Sequence, residues 1–177
     1  MIDLGRAVSV APAGQAEVID HVRLDYDGRF LRRKRLVTTG GATLTVDLAQ
    51  MASLADGDAL ILEDGRAVGV IAAEEPLIEV RGAELARLAW HIGNRHTPCR
   101  IEPDRLLIRD DPVLADMLVR LGAALVRTRA PFVPEGGAYG LGRTMGHAHG
   151  PAPDHDHPRP GPHDHKHDHP HSHHDHG

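Results

Sequence analysis

The 177-residue sequence predicts an α+β protein in three parts: a small all-β domain over residues 1–75, a ferredoxin-like βαββαβ domain over 76–146, and a disordered histidine-rich tail over 147–177. Three observations carry this. The first third has short β-branched runs separated by glycine turns. The middle alternates such runs with two segments of helical periodicity. The last part lacks Leu, Ile, Val, Phe, Tyr and Trp altogether.

In the first part, Arg35–Thr39 and Thr43–Leu48 read as strands, with Leu44, Val46 and Leu48 alternating and Gly40-Gly41 between them as a two-residue hairpin signal. Ala59–Leu62 and Ala67–Ile71 flank a second such signal, Asp64-Gly65, and Ser53–Asp58 is a polar connection. Short strands at this spacing predict a small barrel or sandwich.

In the second part, Leu77–Val80 is a short apolar strand. Leu85, Leu88, Ala89 and Ile92 then stand at i, i+3, i+4 and i+7, one face of a helix. Gly93-Asn94 is expected to close it in the left-handed conformation. Cys99–Glu102 and Leu106–Arg109 read as strands turning at Pro103-Asp104. Asp111 is placed to cap a second helix with Pro112 in its first turn. Leu114, Met117, Leu118 and Leu121 continue it, and Gly122 ends it. Leu125–Phe132 is the last strand, which completes the βαββαβ order.

The tail holds 12 of the 15 histidines, together with five aspartates and two basic residues. With so little to bury, it cannot offset the cost of ordering its backbone, roughly 1–2 kcal/mol per residue. Its histidines recur as H-x-H at His147/His149, His155/His157 and His163/His165, and onwards to His176. Neutral imidazole suits Ni, Cu and Zn, and the interleaved aspartates add oxygen ligands or orient the rings. Binding should weaken as pH falls through about 6.5, where protons compete for the nitrogens. An affinity tag or a solubilising tail is the plainer reading, but a tag is usually a uniform run and this segment mixes Asp, Pro and Ser.

Other features carry less by themselves. His96, just past the first helix, is a loop histidine, and such residues are commonly just solvated. His91 is a secondary candidate for a metal ligand, since it lies on the helix and can simply face water. Glu135–Gly140 reads as a linker. The basic run from Arg29 through Arg32, Arg33, Lys34 and Arg35 is either a solvated face or a surface for an acidic partner.

Several classes are excluded or disfavoured. A net charge of −5 does not suit nucleic acid. There is no signal-peptide pattern and no apolar run long enough for a membrane helix, so a cytoplasmic protein is expected. One cysteine, Cys99, rules out an internal disulfide. No phosphate-binding loop, H-E-x-x-H, C-x-x-C or G-x-S-x-G motif is present, so the chain is not expected to be an enzyme.

The stretch Trp90 to Pro98, above all Gly93-Asn94-Arg95-His96, resembles the UreE family, nickel metallochaperones of urease maturation. Glu102-Pro103, Val113–Leu118, Phe132–Gly140 and the segment Arg33–Val80 are similar as well, so the likeness covers about residues 1–150. The resemblance implies a homodimer through the second domains. It implies that His96 from each copy forms a shared metal site near the two-fold axis, completed by His147 or His149. It also implies that the first domain contacts urease apoprotein and its accessory complex, including the urease accessory GTPase; Arg32, Arg33 and Arg35 are the candidates for that contact. The cargo would be Ni²⁺, with zinc or copper able to bind in vitro. Where some relatives carry extra histidines before the second helix, this chain has Arg109, Asp110, Asp111 and Pro112, so an auxiliary site is not expected there. The alternative is a metal store for Ni, Zn or Cu without a dedicated client.

Overall fold

The computed structural model describes residues 2–136. The tail and its histidines therefore lie outside the described residues.

The first part folds as six strands: β1 (Asp3–Ala11), β2 (Val18–Leu24), β3 (Phe30–Val37), β4 (Thr43–Ser53), β5 (Ala59–Leu62) and β6 (Ala67–Ala72). They form one sheet in the order β2-β6-β5-β1-β4-β3. Two pairings are parallel, β1 with β4 and β2 with β6, and the rest are antiparallel. The sheet curls until its edges approach: the Thr39 amide, just past β3, donates to the carbonyl of His21 in β2 at 2.7 Å. Leu44, Val46 and Leu48 point inward, as their alternation predicts, onto Val22, Leu36, Leu60, Val68 and Val70.

Three details depart from expectation. The first hairpin is not a two-residue turn, because Thr38 closes a wider loop. Its amide donates to Ala42 O (2.8 Å), and its hydroxyl oxygen accepts from the Ala42 amide (3.0 Å). β3 therefore stops at Val37, short of the expected Thr39, while β4 begins at Thr43 as expected. β1 and β2, not singled out from the sequence, complete the sheet; β1 has a single fully buried side chain, Ala7, so its hydrophobic pattern is weak. The Asp64-Gly65 hairpin forms where expected, but with the same wider loop: the Leu62 amide donates to Arg66 O (2.8 Å), the Gly65 amide to Leu62 O (3.0 Å), and Gly65 has φ 87°.

The second part runs β7 (Glu74–Arg81), α1 (Leu85–Gly93), β8 (Arg100–Ile101), β9 (Leu106–Arg109), α2 (Pro112–Arg120) and β10 (Ala124–Pro131). Its strand order is β10-β7-β9-β8, so each βαβ unit is split by a strand of the other. Both helices cover one face. Leu88 and Ile92 of α1 and Leu114 and Leu118 of α2 pack on Ile78, Val80, Leu106 and Ile108. Asp111 caps α2 as expected, accepting from the amides of Val113 (2.8 Å) and Leu114 (3.0 Å), and Gly122 closes it at φ 87°.

The opposite face of this sheet meets the first domain. Leu77 and Leu107 point there and pack on Phe132, itself fully buried. Tyr26, from the turn after β2, stacks edge-on against Phe132 with ring centroids 5.3 Å apart. The guanidinium of Arg109 lies 5.5 Å from the Tyr26 ring centre and donates to Asp27 at 2.7 Å. Glu75 accepts from the Tyr26 amide at 2.9 Å. Arg29 is buried; it donates to Phe132 O and, at 3.4 Å, to Leu54 O. The first member of the basic run is thus part of the junction between the sheets, not of a solvated face.

Candidate functional site

The loop from Asn94 to Cys99 follows from how α1 ends. The Asn94 amide still bonds to Trp90 O (3.0 Å), four residues back. The next two amides tighten to three-residue spacing, Arg95 on Ile92 O (3.1 Å) and His96 on Gly93 O (2.9 Å). The chain then reverses at His96, which has φ 53°, alone among the described non-glycine residues in having a positive φ. The expected left-handed cap at Gly93-Asn94 is therefore corrected. Gly93 belongs to the helix, Asn94 is right-handed at φ −61°, and the strain falls on the histidine. A side chain in this conformation costs about 1–2 kcal/mol, although His tolerates it better than most residues. Strain of this kind is retained where function requires it.

The setting favours a cation. His96 is exposed, and it sits past the C-terminal end of α1, where the helix dipole presents partial negative charge. Arg95 lies across α2, its Nε 2.9 Å from the sulfur of Met117, which ties the loop to the second helix. Two large apolar side chains are exposed on either side of the loop, Trp90 at 62% and Ile101 at 52%.

His91 is half-buried in the last turn of α1, its ring edge-on to Trp90 at 5.0 Å. Cys99, three residues past His96, is a poor ligand as it stands: burial, and then the charge of Glu135, push its thiol up to about 11, so it stays protonated at neutral pH. Among the described residues no three His, Cys, Asp or Glu side chains gather closely enough to hold an ion. One copy of the described fold offers His96 as a ligand but not a whole site.

The remaining site candidates fall elsewhere. Arg32, Arg33 and Arg35 lie exposed on the edge strand β3. Arg33 is spoken for, paired with Asp47 at 2.6 Å, and Arg6 shares that carboxylate. Arg32 donates to Leu48 O at 3.3 Å and Arg35 to the Thr43 hydroxyl at 3.5 Å. His147, His149, His155, His157, His163 and His165 lie outside the described residues.

Sequence reasoning missed where the chain leaves the fold. After β10, at one edge of the second sheet, Pro131 to Glu135 cross the helix-free face. Arg100, from β8, donates to Pro131 O at 3.4 Å, and the Glu135 amide donates to Cys99 O at 2.9 Å, beside the opposite edge. The described chain thus ends next to the His96 loop. Phe132, one of two phenylalanines in a chain with 3% aromatics, was the one available signal.

Family models agree with this architecture. The N-terminal domain of UreE urease accessory protein matches residues 4–73, and its C-terminal domain matches 75–176. The chain belongs to the UreE family. The second match runs through the histidine-rich tail. The family's urease accessory protein from Rhodobacter capsulatus is 59% identical over 147 residues, spanning 82% of this chain and 94% of that protein. Its counterpart in Ruegeria pomeroyi is 60% identical over 134 residues (76% and 90%), and that of Paracoccus denitrificans 64% over 129 (73% and 80%). Among the described residues, no helix is long and apolar enough to cross a membrane.

Proposed function

We propose that this UreE-family protein is a cytoplasmic nickel metallochaperone. It binds Ni²⁺ between the His96 imidazoles of two copies and delivers it to the urease maturation complex. The observation that carries the reading is His96 itself: an exposed, left-handed histidine at a helix C-terminus, flanked by exposed Trp90 and Ile101, with no complete site among the described residues of one copy. A second copy covering Trp90 and Ile101 would bury apolar surface and bring a second imidazole. The names of the relatives supply the urease context.

His147 and His149 complete the coordination in this reading. Residue 147 is 11 residues beyond Gly136, and Glu135 lies beside Cys99, three residues past His96. A site closed by tethered imidazoles can exchange ligands one at a time, so an ion can pass to a partner without being released bare. His155, His157, His163, His165 and the later tail histidines hold reserve ions. The edge strand bearing Arg32, Arg33 and Arg35 faces the urease apoprotein or its accessory complex, including the GTPase, with Arg32 and Arg35 more available than the paired Arg33.

His96→Ala tests this against the metal-store alternative. At limiting nickel, the variant should lose urease activation almost wholly, while removal of the distal tail histidines should lower the number of ions bound and spare activation. Intact activation by His96→Ala, with loss on removing the tail histidines, would overturn delivery from the shared site.

A further inference from the structure

We infer that the free edge of β10, with the groove between it and α2, is a docking site for an extended, acidic segment of a partner protein. The site is separate from the metal reading above, because the His96 loop runs into β8, at the opposite edge of the sheet.

A strand at a sheet edge turns every second N–H and C=O outward, where an added strand can pair with them. Their positions in β10 follow from the ladders. The Asp110 amide donates to Pro76 O at 3.4 Å, so the even-numbered residues of β7 turn their backbone groups to β9 and the odd-numbered ones to β10. With Leu77 opposite Thr128 and Glu79 opposite Val126, Thr128 and Val126 bond to β7. Leu125, Arg127 and Arg129 therefore carry the outward N–H and C=O groups. Pro131, which has no N–H to leave unpaired, continues the same set and suits an edge. Among the described residues, no strand pairs with this side of β10. The other edges are shorter or closed: β8 has two residues, and β3 and β2 meet through the Thr39 amide.

The same three residues point their side chains to the helix side, since Leu125 and Arg127 stand opposite Val80 and Ile78, which pack under the helices. Beside them lies a groove of about 280 Å³, walled by Ala115, Asp116 and Val119 of α2. Charge selects the occupant. Arg129 is exposed, and its guanidinium meets a neutral carbonyl, Glu74 O at 3.2 Å. Arg127 pairs with Asp110 at 3.1 Å but is 73% exposed, and a pair so solvated holds weakly. Asp116, the acid of the groove, is already engaged by Arg120 at 2.8 Å. An added strand thus meets one apolar and two cationic side chains in line, which fit one apolar residue and two carboxylates at alternate positions. A second copy is a poor occupant. Two β10 strands paired about a two-fold axis with the greatest overlap would set Arg127 opposite Arg127 or Arg129 of the second copy, and like charges directly opposite are destabilising.

Every pairing in this sheet is antiparallel, and the probe follows that order. It is a blocked peptide, Thr-Glu-Thr-Glu-Val-Leu-Thr, whose glutamates would face Arg129 and Arg127 and whose leucine would face Leu125. Titrated into the metal-free full-length chain, it should shift the amide resonances of Leu125, Arg127 and Arg129 and slow their hydrogen exchange. Replacing both glutamates by lysine should abolish binding. Arg129→Thr should weaken binding about two- to fivefold, the effect of losing a cross-strand charge pair. Arg129→Pro also removes an outward donor while leaving the ladder to β7 in place, and should weaken binding about tenfold. Unchanged exchange at the Glu79 amide, which faces β10, checks that this variant is folded. No binding of the peptide or of its reversed sequence at millimolar concentration overturns the inference. So does equal binding of the lysine peptide, or shifts confined to other parts of the chain. If Arg129→Pro lowers the sedimenting mass of the peptide-free protein, the edge pairs with a second copy and the partner reading falls.

Discussion

The two domains handle their polar groups differently, and the difference is sharpest at the loop after α1. The first domain closes its turns with side chains. Asp20 accepts from the His21 amide (2.7 Å), the Thr39 hydroxyl (2.9 Å) and the Gly40 amide (3.2 Å); Asp25 accepts from Gly28 (2.6 Å) and Asp58 from Ala55 (2.8 Å). Its exposed charges are paired across the sheet, Arg33 and Arg6 on Asp47. The second domain caps α2 well, but begins α1 without a side-chain cap and ends it on a strained histidine between exposed apolar residues. The contrast is sharpest at the loop that follows α1, where the backbone is left-handed at His96.

The contrast can be broken most forcefully at the base of that loop. Ile92 is fully buried under the end of α1. Ile92→Ala should cost about 2–5 kcal/mol, read by urea unfolding; a cost below about 1 kcal/mol would mean the loop is not anchored on the sheet as described. Next comes the strain. His96→Gly should be more stable than His96→Ala by about 1 kcal/mol, since alanine keeps the Cβ that φ 53° penalises and glycine does not. Equal stability of the two in thermal unfolding would argue against a strained loop. The smallest effect concerns the satisfied domain. Hydrogen bonds from Thr38, the His21 amide, Thr39 and Gly40 hold the Asp20 carboxyl at about 2, below its ordinary 3.8. Because the folded state lowers this value, the ionised carboxylate stabilises the fold above pH about 4. That contribution fades as the pH falls towards 2. Asp20→Asn should flatten this part of the acid limb in a stability-versus-pH series; an unchanged acid limb would mean that the cluster does not bind the ionised form preferentially.

Legibility in the sequence followed the range of the interactions. The helices of the second domain were readable because Leu85 to Ile92 and Leu114 to Leu121 repeat at helical spacing, and because Asp111-Pro112 is a local starting signal. The β5–β6 hairpin was readable for the same reason, its turn lying between its own strands. β1 was not singled out because its partners, β4 and β5, lie far along the chain and its own pattern is diluted by exposed residues. The histidine at position 96 was a weak candidate on chemistry alone, and the cap expected at Gly93-Asn94 was off by two to three residues. Glycine is the usual left-handed residue, and nothing local announces that a histidine takes its place.

The sequence by itself determined the class of the two folded parts and, through Gly93-Asn94-Arg95-His96, the family. These rest on composition, local periodicity and short motifs, which survive without knowledge of distant contacts. Tertiary structure alone decided that Arg29 is buried under Phe132, that β1 sits between β4 and β5, and that Glu135 lies beside Cys99. Each of those depends on residues tens of positions apart meeting at one place. Which pairs meet is settled by the packing of whole sheets, and no local pattern of side chains encodes it.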